Sequence, residues 1–139
     1  MKILNILTEK RKTGNIGEDA AVKYLRKNHY KIIKRNFVAS GYEIDIIAEN
    51  KDTLAFIEVK TRTATEGNIS KTPAASVTPE KQRRIIAAVK CYSPYANTQK
   101  YIGLDVIEVY LEQNQNVREI KHLKDAFNIN TSRKRTYNY

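Results

Sequence analysis

Asp45, Glu58 and Lys60 interrupt two apolar stretches, YEIDIIA and LAFIEVK, where a charged side chain is costly unless it is paired or put to use. Two carboxylates facing one another supply the hard oxygen donors that Mg²⁺ or Mn²⁺ takes, usually together with waters and substrate phosphate. A metal held there would acidify a bound water and polarise a phosphoryl oxygen, and a lysine on the same face could orient the water or offset charge on the scissile phosphate. The spacing D-x₁₂-E-x-K is short, and it equally describes an exposed strand face on which Lys60 forms salt bridges with the acids.

These residues can act together only if the segment from Gly41 to Arg62 folds as a hairpin. Both stretches are rich in Ile, Val, Phe and Leu, and Asn50, Lys51 and Asp52 between them are turn formers. If the turn centres on Lys51 and Asp52, Asn50 faces Thr53 and Asp45 falls opposite Glu58. Glu58 and Lys60 share a face by the two-residue period of a strand. A slip of one residue would send the two carboxylates to opposite faces.

Upstream, residues 1–14 carry Lys10, Arg11 and Lys12 and then Thr13-Gly14, which reads as a basic arm. A helix is expected from about Asn15 to Asn28, with Asn15 and Glu18 at capping-box spacing and an apolar stripe of Ile16, Ala20, Ala21, Tyr24 and Leu25. Tyr30 to Phe37 follows as a strand. Thr61 to Val77 loses all periodicity and reads as a long loop, the kind that often forms a lid or binding segment. Thr78-Pro79-Glu80 is a helix start, and the helix is expected to reach about Tyr92, burying Ile85, Ile86, Val89 and Tyr92. Strands are predicted at Tyr101 to Leu111 and Val117 to His122, with a short closing segment to Ile129. The order helix, three strands, helix, two strands predicts an α/β fold: a mixed central sheet of about five strands flanked by helices. Residues 1–129 form one domain and 130–139 a mobile basic tail.

The chain has 139 residues, 41% of them hydrophobic, enough for one real core. Lys and Arg number 25 against 15 Asp and Glu, for a net charge of +10, so the surface should attract a polyanion. The sole cysteine, Cys91, cannot form an internal disulfide, which fits a cytoplasmic location. MKILNIL is too short for a signal peptide, and no apolar run is long enough for a membrane helix.

The ordered motifs GNIGEDAAVKYL, YEIDIIA, FIEVKTR, KQRRI, LDVIEV and KHLKDAF resemble the YraN-like family of predicted endonucleases. That family is related to the archaeal Holliday-junction resolvases within the PD-(D/E)xK, restriction-endonuclease-like fold. The resemblance spans roughly Thr13 to Phe127. It implies Asp45 and Glu58 as metal ligands, Lys60 as the catalytic lysine, and Glu18 as the acidic residue of the first helix, although the capping box accounts for Glu18 without a metal. It implies a DNA substrate rather than RNA, with branched DNA as the candidate structure. A resolvase needs two active sites on one junction, so a homodimer is the matching assembly.

Lys81 and Gln82 begin the second helix where similar nucleases carry helper residues, at a helix N-terminus that favours phosphate. Arg62, Lys71 and Arg84 are candidate phosphate contacts. Two departures from the family pattern stand out: Gly103-Leu104 replaces an Arg-Phe pair before Asp105, removing an expected partner for that carboxylate, and Tyr42 stands where the family favours Gly. Glu43 reads as a strand-end charge, Cys91 as a core or boundary residue, and neither His29 nor His122 has metal-ligand spacing. The alternative to an enzyme is a nucleic-acid-binding module that keeps the fold without cleaving.

Overall fold

Two largely apolar runs, 53–63 and 101–111, lie side by side in the sheet and determine where everything else packs. In the computed structural model, which describes residues 2–63 and 77–128 and the side chains from residue 14 onward, the elements are as follows. Helix α1 spans Lys2–Lys27, strands β1, β2 and β3 span Lys31–Ala39, Tyr42–Glu49 and Thr53–Thr63, and helix α2 spans Pro79–Lys90. A 3₁₀ turn at Ser93–Ala96 leads to strands β4, Tyr101–Leu111, and β5, Val117–Leu123. The five strands form one sheet in the order β1-β2-β3-β4-β5. The pair β3 and β4 is parallel, with Thr53 beside Tyr101 and Thr63 beside Leu111, and the other three pairs are antiparallel. A parallel neighbour needs a crossover connection, and α2 lies within it.

Each helix covers one face. Leu54, Phe56, Ile102, Leu104 and Val106 pack on Ile85, Ala88 and Val89 of α2. Ala55, Ile57, Ile107 and Val109 pack with Ala21, Val22 and Leu25 of α1. Because β3 and β4 are sandwiched, both of their faces are apolar, and each fully buried aliphatic side chain contributes roughly 1.5–3 kcal/mol. The helix α1 lies directly on β3: a Cβ on Gly17 would run into the Thr61 side chain, so only glycine permits this approach.

The predicted mixed five-strand sheet between helices is observed, with four local corrections. The first helix begins at Lys2 rather than near Asn15, so the segment read as an arm is helical. Many of its residues are good helix formers, and each of its two glycines, Gly14 and Gly17, costs about 1 kcal/mol relative to Ala, which the packing of the helix on the sheet offsets. Asn15 is therefore interior and does not cap. Thr61, Arg62 and Thr63 extend β3 instead of opening the loop, since they continue the pairing with Val109, Tyr110 and Leu111. The helix α2 stops at Lys90, its start capped as predicted by the Thr78 hydroxyl, which accepts from Lys81 N at 3.2 Å. Cys91, at its end, is exposed rather than in the core. Lys71, most of the predicted loop and the tail at 130–139 lie outside the described residues.

Candidate active site

The turn between β2 and β3 sets the register. Asn50 Oδ1 accepts from Asp52 N and Thr53 N, and Asn50 N donates to Thr53 O at 3.0 Å, the geometry of a side-chain-stabilised turn. Pairing then runs from Glu49 with Leu54 to Ile46 with Ile57, the register expected from the sequence. Beyond Ile57 the ladder ends. Ile44 packs in the α2-side core and Ile46 in the α1-side core, so the alternation of β2 breaks between them, at Asp45. On β1, Asn36 sits at this level with φ of 56°, so both strands depart from regular β geometry here.

At this split the Asp45 carboxylate turns toward β3, and Oδ2 accepts from Val59 N at 2.8 Å. Glu58 is on the α2 side. Its Oε1 meets Lys81 Nζ at 2.9 Å and Lys60 Nζ at 3.9 Å, and its Oε2 accepts from the Tyr42 hydroxyl at 3.1 Å. Three strand or helix elements thus converge on one carboxylate: β2 through Tyr42, β3 through Lys60 and α2 through Lys81.

The electrostatics follow from that crowding. Burial, and then the negative charge of Glu58, push Asp45 up to about 7, against the opposing hydrogen bond from Val59. Glu18 and Glu43 push the same way. Lys60 is lowered by burial and by the neighbouring Lys81, while Glu58 and Asp45 counteract part of the effect. For Lys81 burial acts downward, but contacts with Lys60 and Glu58 outweigh it and leave the group raised. Tyr42 is held in its neutral form by burial and by Glu58. A carboxyl that titrates near neutrality beside a second carboxylate is what two converging acids produce without a cation between them.

The donor set suits a hard divalent ion. Asp45 keeps Oδ1 beyond its bond to Val59, and Glu58 offers two oxygens now held by a tyrosine and a lysine. Among the described residues no three His, Cys, Asp or Glu side chains are grouped as a closed metal cage. An Mg²⁺ site does not need one, since one or two carboxylates with waters and phosphate suffice.

The remaining candidates separate. Glu18 lies at the edge of this group and is paired with Arg35 Nε at 3.0 Å, while Arg35 Nη2 reaches Asp19 at 2.7 Å. Its partner is an arginine on β1, not the helix cap inferred from spacing. Lys81 is turned onto Glu58, Gln82 Nε2 donates to Val77 O at 3.1 Å, and Arg84 is exposed. Arg62 pairs with Glu108.

Sequence reasoning passed over three features. Tyr42 is a hydrogen-bond partner of Glu58, which only its position two residues before Ile44 on the same face could have signalled. Glu108 is fully buried on the same side of the sheet as Glu58, Lys60 and Arg62; its charge within LDVIEV was the available clue. Asp105 has a partner after all: His122 Nε2 lies 2.8 Å from Oδ2, and Asp125 N donates to Oδ1 at 3.0 Å. His122 Nδ1 is 3.1 Å from the Tyr24 hydroxyl, so the ring bridges a tyrosine on one side and the buried aspartate on the other. The place of the absent arginine is taken by a histidine that sequence spacing alone left without a role.

Residues 17–109 match the Uncharacterised protein family UPF0102, and the chain belongs to that family. A UPF0102 protein of Clostridium perfringens is 43% identical over 117 residues, covering 84% of this chain and 93% of the relative. One from Geotalea daltonii is 41% identical, covering 84% and 89%. One from Caldanaerobacter subterraneus subsp. tengcongensis is 36% identical over 120 residues, covering 85% and 96%. The matched region contains Glu18, Asp45, Glu58, Lys60, Arg62, Lys81 and Glu108.

Proposed function

We propose that this chain is a divalent-metal-dependent endonuclease of the PD-(D/E)xK fold that acts on DNA, with branched DNA as the preferred form. The observation that carries the reading is the convergence of Asp45, Glu58 and Lys60 where β2 parts from β3, with Asp45 poised near neutrality and Lys60 lowered. Perturbed titration of a carboxylate and a lysine at one point marks the kind of crowded, partly desolvated charge cluster that active sites carry, and a bound cation would relieve it. The net charge of +10 favours a polyanionic substrate.

Asp45 and Glu58 would hold Mg²⁺ or Mn²⁺, which when bound supplies an acidified water and a polarised phosphoryl oxygen. The Val59 amide fixes the Asp45 carboxylate in orientation, and Tyr42 does the same for Glu58. Lys60, with its proton loosened, orients the attacking water and balances charge on the phosphate. Lys81 neutralises Glu58 in the metal-free protein and is free to turn to phosphate once that charge is met otherwise. A homodimer would set two such sites on one junction. Glu18, linked to Arg35, stands at the rim of the group as a third acid.

Cleavage of labelled linear, flapped and four-way DNA with Mg²⁺ and with Mn²⁺ tests this. Metal-dependent cutting by the wild type, lost in Glu58→Ala with DNA binding retained, is the expected result. Binding that falls with salt and is unaltered by Glu58→Ala, with no cutting on any substrate, would replace the enzyme with a non-catalytic nucleic-acid-binding module.

A further inference from the structure

Glu108 is a carboxylate with no exposed surface, in the middle of an apolar strand. Such a group is costly to bury and persists only where its surroundings compensate it. Here the compensation is incomplete. Tyr110 OH donates to Oε1 at 2.8 Å, and Arg62 Nε lies 2.5 Å from the same oxygen. That contact is not aligned as a hydrogen bond, and among the described residues Oε2 has no hydrogen-bond partner. Lys60 stands beside Glu108 in the parallel register of β3 and β4, and Lys121 lies 5.4 Å over the ring of Tyr110. The Arg62 side chain is 35% exposed, so it joins a buried anion to the surface.

We propose that Glu108 is a positioning residue: it holds Arg62 by the inner nitrogen, so that the outer edge of the guanidinium forms a two-pronged contact for a second phosphate of the substrate. Arginine suits this because its planar fork binds phosphate through two parallel N–H bonds, and an anchored fork loses less freedom on binding than a loose one. Arg62 is four residues beyond Glu58 on one strand, a separation of about 13 Å at the usual rise. The contact therefore selects a polynucleotide, which carries a further phosphate at that distance, over a mononucleotide. This rests on the nucleic-acid reading above. A simple charge-balancing pair would behave in the opposite way, since neutralising Glu108 would then release a cation for phosphate.

The test is the salt dependence of binding to a labelled duplex of about 30 bp, followed by fluorescence anisotropy from about 50 to about 200 mM KCl, for wild type, Arg62→Ala, Glu108→Gln and the double variant. Each single change is expected to weaken binding about 5–10-fold and to flatten the slope of log K against log salt by about 0.9, the loss of one phosphate contact. The double variant should do no more than either alone, because the two residues act as one device. Tighter binding by Glu108→Gln, or an unchanged slope, overturns the proposal while leaving the DNA reading intact. Absence of salt-dependent binding by the wild type overturns both. If Glu108→Gln does not fold, Arg62→Lys carries the test. It keeps the charge but cannot sit on Glu108 and reach outward, so wild-type affinity and slope in that variant would overturn the proposal.

Discussion

Replacing Asp45 by Asn should make the metal-free protein more stable at neutral and alkaline pH, an outcome opposite to that of most changes at a partly buried position. The wild-type carboxyl is raised from 3.8 to about 7 by burial and by Glu58, so the folded state binds a proton more tightly than the unfolded chain does. Stability is then highest below the unfolded value, near 3.8, declines as pH rises through the interval to about 7, and levels off above it. At about 1.4 kcal/mol for each pKa unit, the ionised carboxylate costs the fold at most about 4 kcal/mol at pH 8. Asparagine is nearly isosteric, keeps a carbonyl oxygen to accept from Val59 N, and carries no charge to repel Glu58. Urea melts of wild type and Asp45→Asn at about pH 4, 6 and 8, with chelator present, measure the effect. The expected advantage of the variant is about 2–4 kcal/mol at the highest pH, roughly 10 °C in Tm, shrinking toward zero at the lowest. An advantage independent of pH, or a variant less stable than wild type above pH 7, would refute the reasoning that burial and the nearby Glu58 disfavour the Asp45 carboxylate.

Other consequences can be measured separately. Lys81→Met removes the cation that, with burial, lowers Lys60, so the Lys60 ammonium should titrate at a higher pH in the variant, as read by NMR of isotope-labelled methylated lysines. An unmoved Lys60 would show that burial alone sets it. Gly17→Ala drives a methyl group into Thr61 and should cost about 1–3 kcal/mol in denaturant melts, with much of the loss recovered in the double variant Gly17→Ala/Thr61→Ala. His122→Leu strips the buried Asp105 of its side-chain partner and is expected to destabilise by about 3 kcal/mol at pH 7, whereas Asp105→Asn in the same background should restore part of it.

The sheet was legible because its strands obey strict patterns. Asn50 and the alternation on either side of it identified a register that could be counted outward to Glu58, and Thr78-Pro79-Glu80 marked the start of α2. Less legible was everything that depends on two segments meeting. Asn15 and Glu18 have capping-box spacing, but a helix-forming sequence upstream carries α1 past them, and only the packing of α1 on the sheet brings Arg35 to Glu18. The break at Asp45 appears in no local motif, because Ile44 and Ile46 look equivalent until the two helices take opposite faces. Likewise, Asp105 and His122 become partners only when β5 pairs with β4. Glu108 gave no sign within its own strand, because its ion pair with Arg62 exists only once β3 lies parallel beside β4.

The central claim is that Asp45 and Glu58 together bind a divalent metal ion. Crystals soaked in Mn²⁺ and measured for anomalous scattering test it directly, since manganese is a distinguishable stand-in for magnesium with the same preference for oxygen. The account predicts one anomalous peak within coordination distance, about 2.0–2.3 Å, of an oxygen of each carboxylate, and no peak in Glu58→Ala. Full occupancy of Mn²⁺ elsewhere with the Asp45–Glu58 position empty, or the two side chains found on opposite faces of the sheet, would contradict it.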